Sequence, residues 1–228
     1  MIDNLKDNIQ ENVNETKYEY ILEMNHISKE FPGVKALDDV TIKVKKGRVL
    51  SLMGENGAGK STLMKCLFGV YHLDQGEIIL AGKHINFHNP KQALAGGVSM
   101  VQQELNQITT RSVMENMFLG RFPKKWKFIV DHNKMKKDAN KIFDDLKIEG
   151  INPLQILSRL SVCDREMVEI AKAVSIDSKV VVFDEPTSSL ADREIEKLFE
   201  IINHLKEKGF GIIYISHKMD EIFKISDD

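Results

Sequence analysis

Between an apolar stretch, RVLSLM (48–53), and a run of helical character, STLMKCLFGV (61–70), three glycines fall within six residues: Gly54, Gly57 and Gly59. This order of strand, tight turn and helix constrains the fold of the 228-residue chain more than any other feature. The full run is Gly54, Glu55, Asn56, Gly57, Ala58, Gly59, Lys60, Ser61, Thr62. It fits the phosphate-binding pattern of Gly, four residues, Gly-Lys, then Ser or Thr. Glycines let such a loop curl into conformations that a β-carbon penalises. Its amides then converge on phosphate oxygens, and the helix that follows adds its positive N-terminal end. Lys60 supplies a cation for the β- and γ-phosphates, and the Ser61 hydroxyl can ligate magnesium. Residues 54–62 together form the candidate nucleotide-binding loop.

A second run, VVVFDEPTSSL (180–190), places two carboxylates at the end of an apolar strand. Asp184 there can meet magnesium through water. Glu185 can polarise an attacking water as a general base. Taken alone, the pair could be a solvated turn; downstream of a phosphate loop the catalytic reading prevails.

The remaining pattern supports an α/β chain. GEIILAGKHINF (76–87) has a glycine at each joint and reads as a hairpin; VSMV (98–101) and GIIYIS (211–216) read as buried strands. KVVVFDE (179–185) is too apolar to have a wet face, so both faces are covered, as in a parallel sheet. Ala139, Ile142, Phe143 and Leu146 share one helix face, as do Met167, Ile170, Ala171 and Val174. Ile195, Leu198, Phe199, Ile202 and Leu205 form a third apolar stripe, ended by Gly209. The helical stretch from about 105 to 175 reads as an insertion between core strands. Residues 1–17 are polar and charged and read as a mobile tail.

Composition excludes several classes. With 32 basic and 34 acidic residues the formal charge is -2, which gives no general pull toward nucleic acid or anionic lipid. The basic run Lys124, Lys125, Trp126, Lys127 reads as a solvated face. No stretch approaches the roughly 18–20 continuous apolar residues of a membrane span. Cys66 and Cys163 have neither metal-ligand nor redox spacing, and Cys66 reads as a core residue.

The two chemical motifs, with LSVCDREMVEIAKAV (160–174) and ISHKMDEI (215–222), resemble the ATP-binding cassette ATPases from about residue 20 onward. FPGVKALDDV, MGENGAGKSTLMKCLFGVY, VQQELN and SVMENMFLGR resemble more specifically the first cassette of monosaccharide importers, galactose/methylgalactoside type first and ribose type next. The resemblance implies a P-loop NTPase core with a mostly parallel sheet, an N-terminal antiparallel β subdomain and an inserted α-helical subdomain. It implies that Phe31 stacks on adenine. It implies that Gln103, with Gln102 an adjacent alternative, contacts magnesium and water and faces a membrane partner. His217 matches the histidine that touches the γ-phosphate, and Leu190 the loop facing an opposite cassette.

Two features depart from the family pattern. Its usual Leu-Ser-Gly-Gly-Gln reads here Leu160, Ser161, Val162, Cys163, Asp164. Ser161 could still reach a γ-phosphate, but both glycines are gone and Asp164 brings a negative charge toward a polyanion. Ser161 also suits a helix cap. Cassettes also continue past the histidine motif, so the nucleotide-binding domain, 18–228, is expected to be truncated at its C-terminal side. The resemblance implies an ATPase of a sugar importer, using ATP and Mg2+ on the cytoplasmic face of a membrane. Integral permease subunits, a second cassette and, indirectly, a sugar-binding protein would be its partners; nucleic acid would not. A soluble non-transport cassette ATPase and a nucleotide-binding fragment without hydrolysis are the alternatives.

Overall fold

The computed structural model describes residues 19–55, 57–102, 107–126 and 128–228. Two long strands come first, β1 (Tyr20–Phe31) and β2 (Val34–Lys45), joined at Pro32-Gly33 and paired antiparallel from Tyr20↔Lys45 to Phe31↔Val34. β3 (Val49–Leu52) then leads through the glycine-rich loop into α1 (Lys60–Leu67). The expected hairpin follows as β4 (Gln75–Leu80) and β5 (Lys83–Ile85), turning at Ala81 and Gly82, both with positive φ. These strands complete an antiparallel sheet in the order β2-β1-β4-β5. Leu22, Met24 and Ile27 of β1 are fully buried beneath it.

α2 (Pro90–Gly96) starts on an Asn89 cap with proline in its first turn, and leads into β6 (Val98–Val101). Next come α3 (Val113–Met117), the small pair β7 (Lys124–Trp126) and β8 (Ile129–Val130), α4 (His132–Asp145) and α5 (Val162–Val174). The chain then returns through β9 (Val180–Asp184), α6 (Asp192–Glu207), β10 (Gly211–Ile215) and α7 (Met219–Ile225). β3, β10, β9 and β6 form a four-stranded sheet in that order, and every neighbouring pair in it is parallel. On the far side of β3, the amides of Asp227 and Asp228 donate to Val49 O and the amide of Ser51 donates to Asp228 O.

With side chains alternating between two covered faces, residues 180–183 of β9 and all of β10 are apolar. Val181, Phe183, Ile212 and Tyr214 pack with α3, α4, α5 and α6. Val180, Val182, Ile213 and Ile215 pack with α1 and the antiparallel sheet. One sheet thus divides two cores and belongs to both. β6 and β9 lie side by side, Val98 against Val180, although the chain between them forms the helical layer and the β7–β8 pair. No helix among the described residues is long and apolar enough to cross a membrane.

Candidate functional site

Parallel strands carry their following loops to a common edge, and in open α/β sheets that edge is where ligands sit. Here the C-terminal ends of β3, β9 and β10 deliver the three segments singled out in the sequence: 54–62, Asp184-Glu185 and His217.

The loop is shaped by its last two glycines. Gly57 and Gly59 have φ of 88° and 89°, in the left-handed region. Gly59 is also crowded: a β-carbon there would lie 2.7 Å from Ala36 O and 2.9 Å from a Leu37 methyl. It ends the loop at the head of α1, whose Leu63, Met64, Cys66 and Leu67 are buried while Ser61 is exposed. Glu55, Gly57 and Ala58 are exposed, Thr62 is half-buried, and Asn56 lies outside the described residues. Lys60 arches back over the loop, and its Nζ donates to Gly54 O and, at 3.0 Å, to Glu55 O. The ammonium is therefore held against the backbone carbonyls at the start of the loop.

Asp184 closes β9, half-buried. Burial, with the neighbouring charge of Glu185, pushes its carboxyl above the usual range, and Lys60 opposes that shift. A carboxylate destabilised in this way gains from a cation. Asp184 and the Ser61 hydroxyl offer hard oxygen donors of the kind magnesium takes, with its remaining positions left to phosphate and water. Glu185 stands just past the strand with φ of 48°, and its amide donates to Ile215 O at 2.9 Å. Its Oε1 lies 3.3 Å from Nδ1 of His217, whose side chain is largely exposed. Lys60, Asp184, Glu185 and His217 are thus brought together from three separate segments.

Beneath this pair lies a cluster that the sequence reading passed over. The buried carboxylate of Glu221 accepts hydrogen bonds from Thr187 Oγ1 at 2.7 and 2.8 Å and from the Tyr214 hydroxyl at 2.8 Å. Ser216 Oγ donates to it at 3.1 Å, and Lys218 Nζ stands 2.9 Å away. Burial opposes its charge, yet the bonds from Thr187, Lys218 and Tyr214 hold its pKa below the usual carboxylate range. Thr187 and Glu221 both belong to the motif strings, but nothing in their spacing marks either as inward-facing.

Phe31 ends β1 half-buried, outside both cores, with its ring 5.1 Å from that of Tyr71 and nearly perpendicular to it. Asp74 fixes this end of β1, accepting from Lys29 Nζ at 2.6 Å and from the Glu30 amide at 2.7 Å. Tyr71 is a further candidate contact that the sequence reading missed. Ser161 sits elsewhere, as the cap of α5: its hydroxyl accepts from the Asp164 amide at 3.1 Å and lies 2.8 Å from Asp164 Oδ2. Leu190 packs against the core of the helical layer. Gln103 lies outside the described residues. Burial pushes the Cys163 thiol up to about 11, so it behaves as an inert core group. A cleft of about 600 Å³ opens between the segment after α4, α5 and α6, lined by Leu146, Cys163, Asp164, Met167, Lys197 and His204. None of the strand-end residues lines that cleft, so it is not the site of this chemistry.

Comparison with known proteins places the chain among relatives of known family. The ABC transporter family model matches residues 37–188. The galactose/methyl galactoside import ATP-binding protein MglA of Clostridium perfringens is 62% identical over 208 residues, covering 91% of this chain and 40% of that protein. The protein of the same name from Escherichia coli is 56% identical over 210 residues, covering 92% and 41%. The chain therefore spans about two fifths of the length of the curated relatives it matches. Among solved structures, the ADP conformation of an ATP-binding cassette of an ABC transporter superposes with a TM-score of 0.80 at 29% identity, covering 92% of this chain and 86% of that one. A nucleotide-free cassette from an ABC transporter gives the same score and identity, covering 91% and 85%.

Proposed function

The chain belongs to the ABC transporter family, and from that premise we propose that it binds and hydrolyses magnesium-ATP to drive import of a monosaccharide such as galactose/methyl galactoside or ribose. The observation that carries this reading is the convergence of Lys60, Asp184, Glu185 and His217 at one edge of the parallel sheet. In it, the amides of residues 57–60 and the Lys60 ammonium hold the β- and γ-phosphates, and Ser61 and Asp184 hold magnesium. Phe31, braced by Tyr71, offers a ring for the adenine. Glu185 takes a proton from the water that attacks the γ-phosphorus, and the bond to the ADP oxygen breaks. His217 orients Glu185 and meets the γ-phosphate from the other side. Asn56 and Gln103 belong to this proposal on resemblance.

The partners follow the same reading: integral permease subunits, a second cassette in the same longer protein or a second chain, and a sugar-binding protein indirectly. The chain would then work as a peripheral subunit on the cytoplasmic face of a membrane. Ser161 would face the second cassette's nucleotide. Its bond to Asp164 turns a carboxylate toward that polyanion, which favours weak hydrolysis at the opposite site.

Magnesium-dependent ATP turnover tests the reading. Glu185→Gln should retain nucleotide binding and lose about 100-fold or more in turnover. Lys60→Ala should weaken ATP binding about tenfold or more. Glu185→Gln turning over ATP at the parent rate would sink the proposal.

A further inference from the structure

We propose that Glu221 is a positioning residue that locks the Glu185 segment to the His217 segment, so that base and histidine meet in one fixed geometry. The proposal rests on the reading of this edge as an ATP-hydrolysing site and adds a control point within it. β9 and β10 run side by side only to Asp184 and Ile215, and the last backbone bond between them is Glu185 N to Ile215 O. Beyond that bond the strand pairing ends, and Glu221 joins the two segments from the first turn of α7.

Its donors come from both sides. Thr187 lies two residues past Glu185. Ser216 and Lys218 flank His217 immediately on either side, and Tyr214 lies within β10. Lys218 Nζ also reaches Thr187 Oγ1 at 3.3 Å, closing a ring of contacts around the carboxylate. Glu221 is only 5% exposed, so it cannot itself touch nucleotide; it acts through its neighbours. Glu185 has left-handed backbone, a conformation that persists only where surrounding structure holds it. The Thr187–Glu221 bond is such a hold, two residues away.

A carboxylate accepts and never donates, and four side chains here present donors to it. An amide in its place would turn an N–H toward those donors and leave Lys218 without its counter-charge. Small displacements at a reacting centre are costly, about 100-fold for 1 Å. The site should therefore lose turnover without losing its grip on nucleotide.

The test uses the whole chain as Glu221→Gln, Thr187→Val and Thr187→Ser, measured two ways. In amide hydrogen exchange, Glu221→Gln and Thr187→Val should speed exchange in residues 185–190 and 216–218 together, with the β1–β2 pair unchanged. In magnesium-ATP turnover, both should lower kcat about tenfold or more while ATP affinity stays within about threefold, and Thr187→Ser should restore the parent rate. Exchange that rises in one segment alone, or in neither, overturns the proposal even if turnover falls. So does Thr187→Val turning over at the parent rate. If the parent chain hydrolyses nothing, the hydrolysis reading fails, and coupled exchange of the two segments still decides whether Glu221 joins them.

Discussion

Asp184 shows how a single side chain placed at a proposed site can work against the interest of the fold. Its pKa is raised above the ordinary 3.8, so the folded chain binds a proton more tightly than the unfolded one. Stability is therefore lost as pH rises from about 3.8 through the raised value, and the loss persists at neutral pH. Asp184→Asn should raise the melting temperature at pH 7 while abolishing magnesium-dependent turnover; an unchanged or lower melting temperature would contradict the assigned cause. Glu221 has the opposite sign. Its pKa is lowered, so its contribution is present above the usual carboxylate value of about 4.5 and fades as pH falls below it. The stability deficit of Glu221→Gln should accordingly shrink on acidification from pH 6 to pH 3, which denaturant melts across that range would reveal. Lys60, Asp184 and Glu185 could be singled out as candidates from the sequence because their motifs follow a fixed local spacing. Glu221 was not, because a glutamate in KMDEI looks like solvated helix until the fold sets β10 and the segments that follow β9 and β10 around it.

At the level of elements, legibility tracked length and apolar periodicity. The stripe Leu198, Phe199, Ile202 and Leu205 is buried in α6, and Gly209 ends it with φ of 87°. The buried strands at 98–101, 180–184 and 211–215 likewise lie where apolar runs placed them. Short elements carried too little pattern. α3 has five residues, and its signal was a cap rather than a period: Ser112 and Glu115 form a reciprocal capping box, with Ser112 N donating to Glu115 at 2.9 Å. Ser112→Ala should destabilise the chain by about 1 kcal/mol, seen as a lower urea midpoint with unchanged slope. β7 was unreadable for another reason. Lys124, Lys125 and Trp126 are all exposed, so no buried face imposes an alternation on the sequence.

For the molecule as a whole, the parallel sheet is the shared wall of two cores, and this sets what substitutions in it do. Phe183→Ala empties space on the helical side and should cost about 3–5 kcal/mol; Val182, its neighbour, faces the antiparallel sheet instead. Since the two residues serve different cores, their truncations should add in denaturant melts; strong coupling would show that the cores are one unit. The sheet's strand order was hidden from the sequence, because apolar runs name strands and not their neighbours. That order has a consequence for how the protein comes into being. β3, which launches the phosphate loop, pairs along one edge with β10, about 160 residues further on. At ribosomal speeds of about 5–20 residues per second, β3 waits roughly ten to thirty seconds for its partner. Through that interval the nascent chain holds an apolar strand edge open, so the strand that anchors the phosphate loop is also the one most in need of shelter while the chain is still being made.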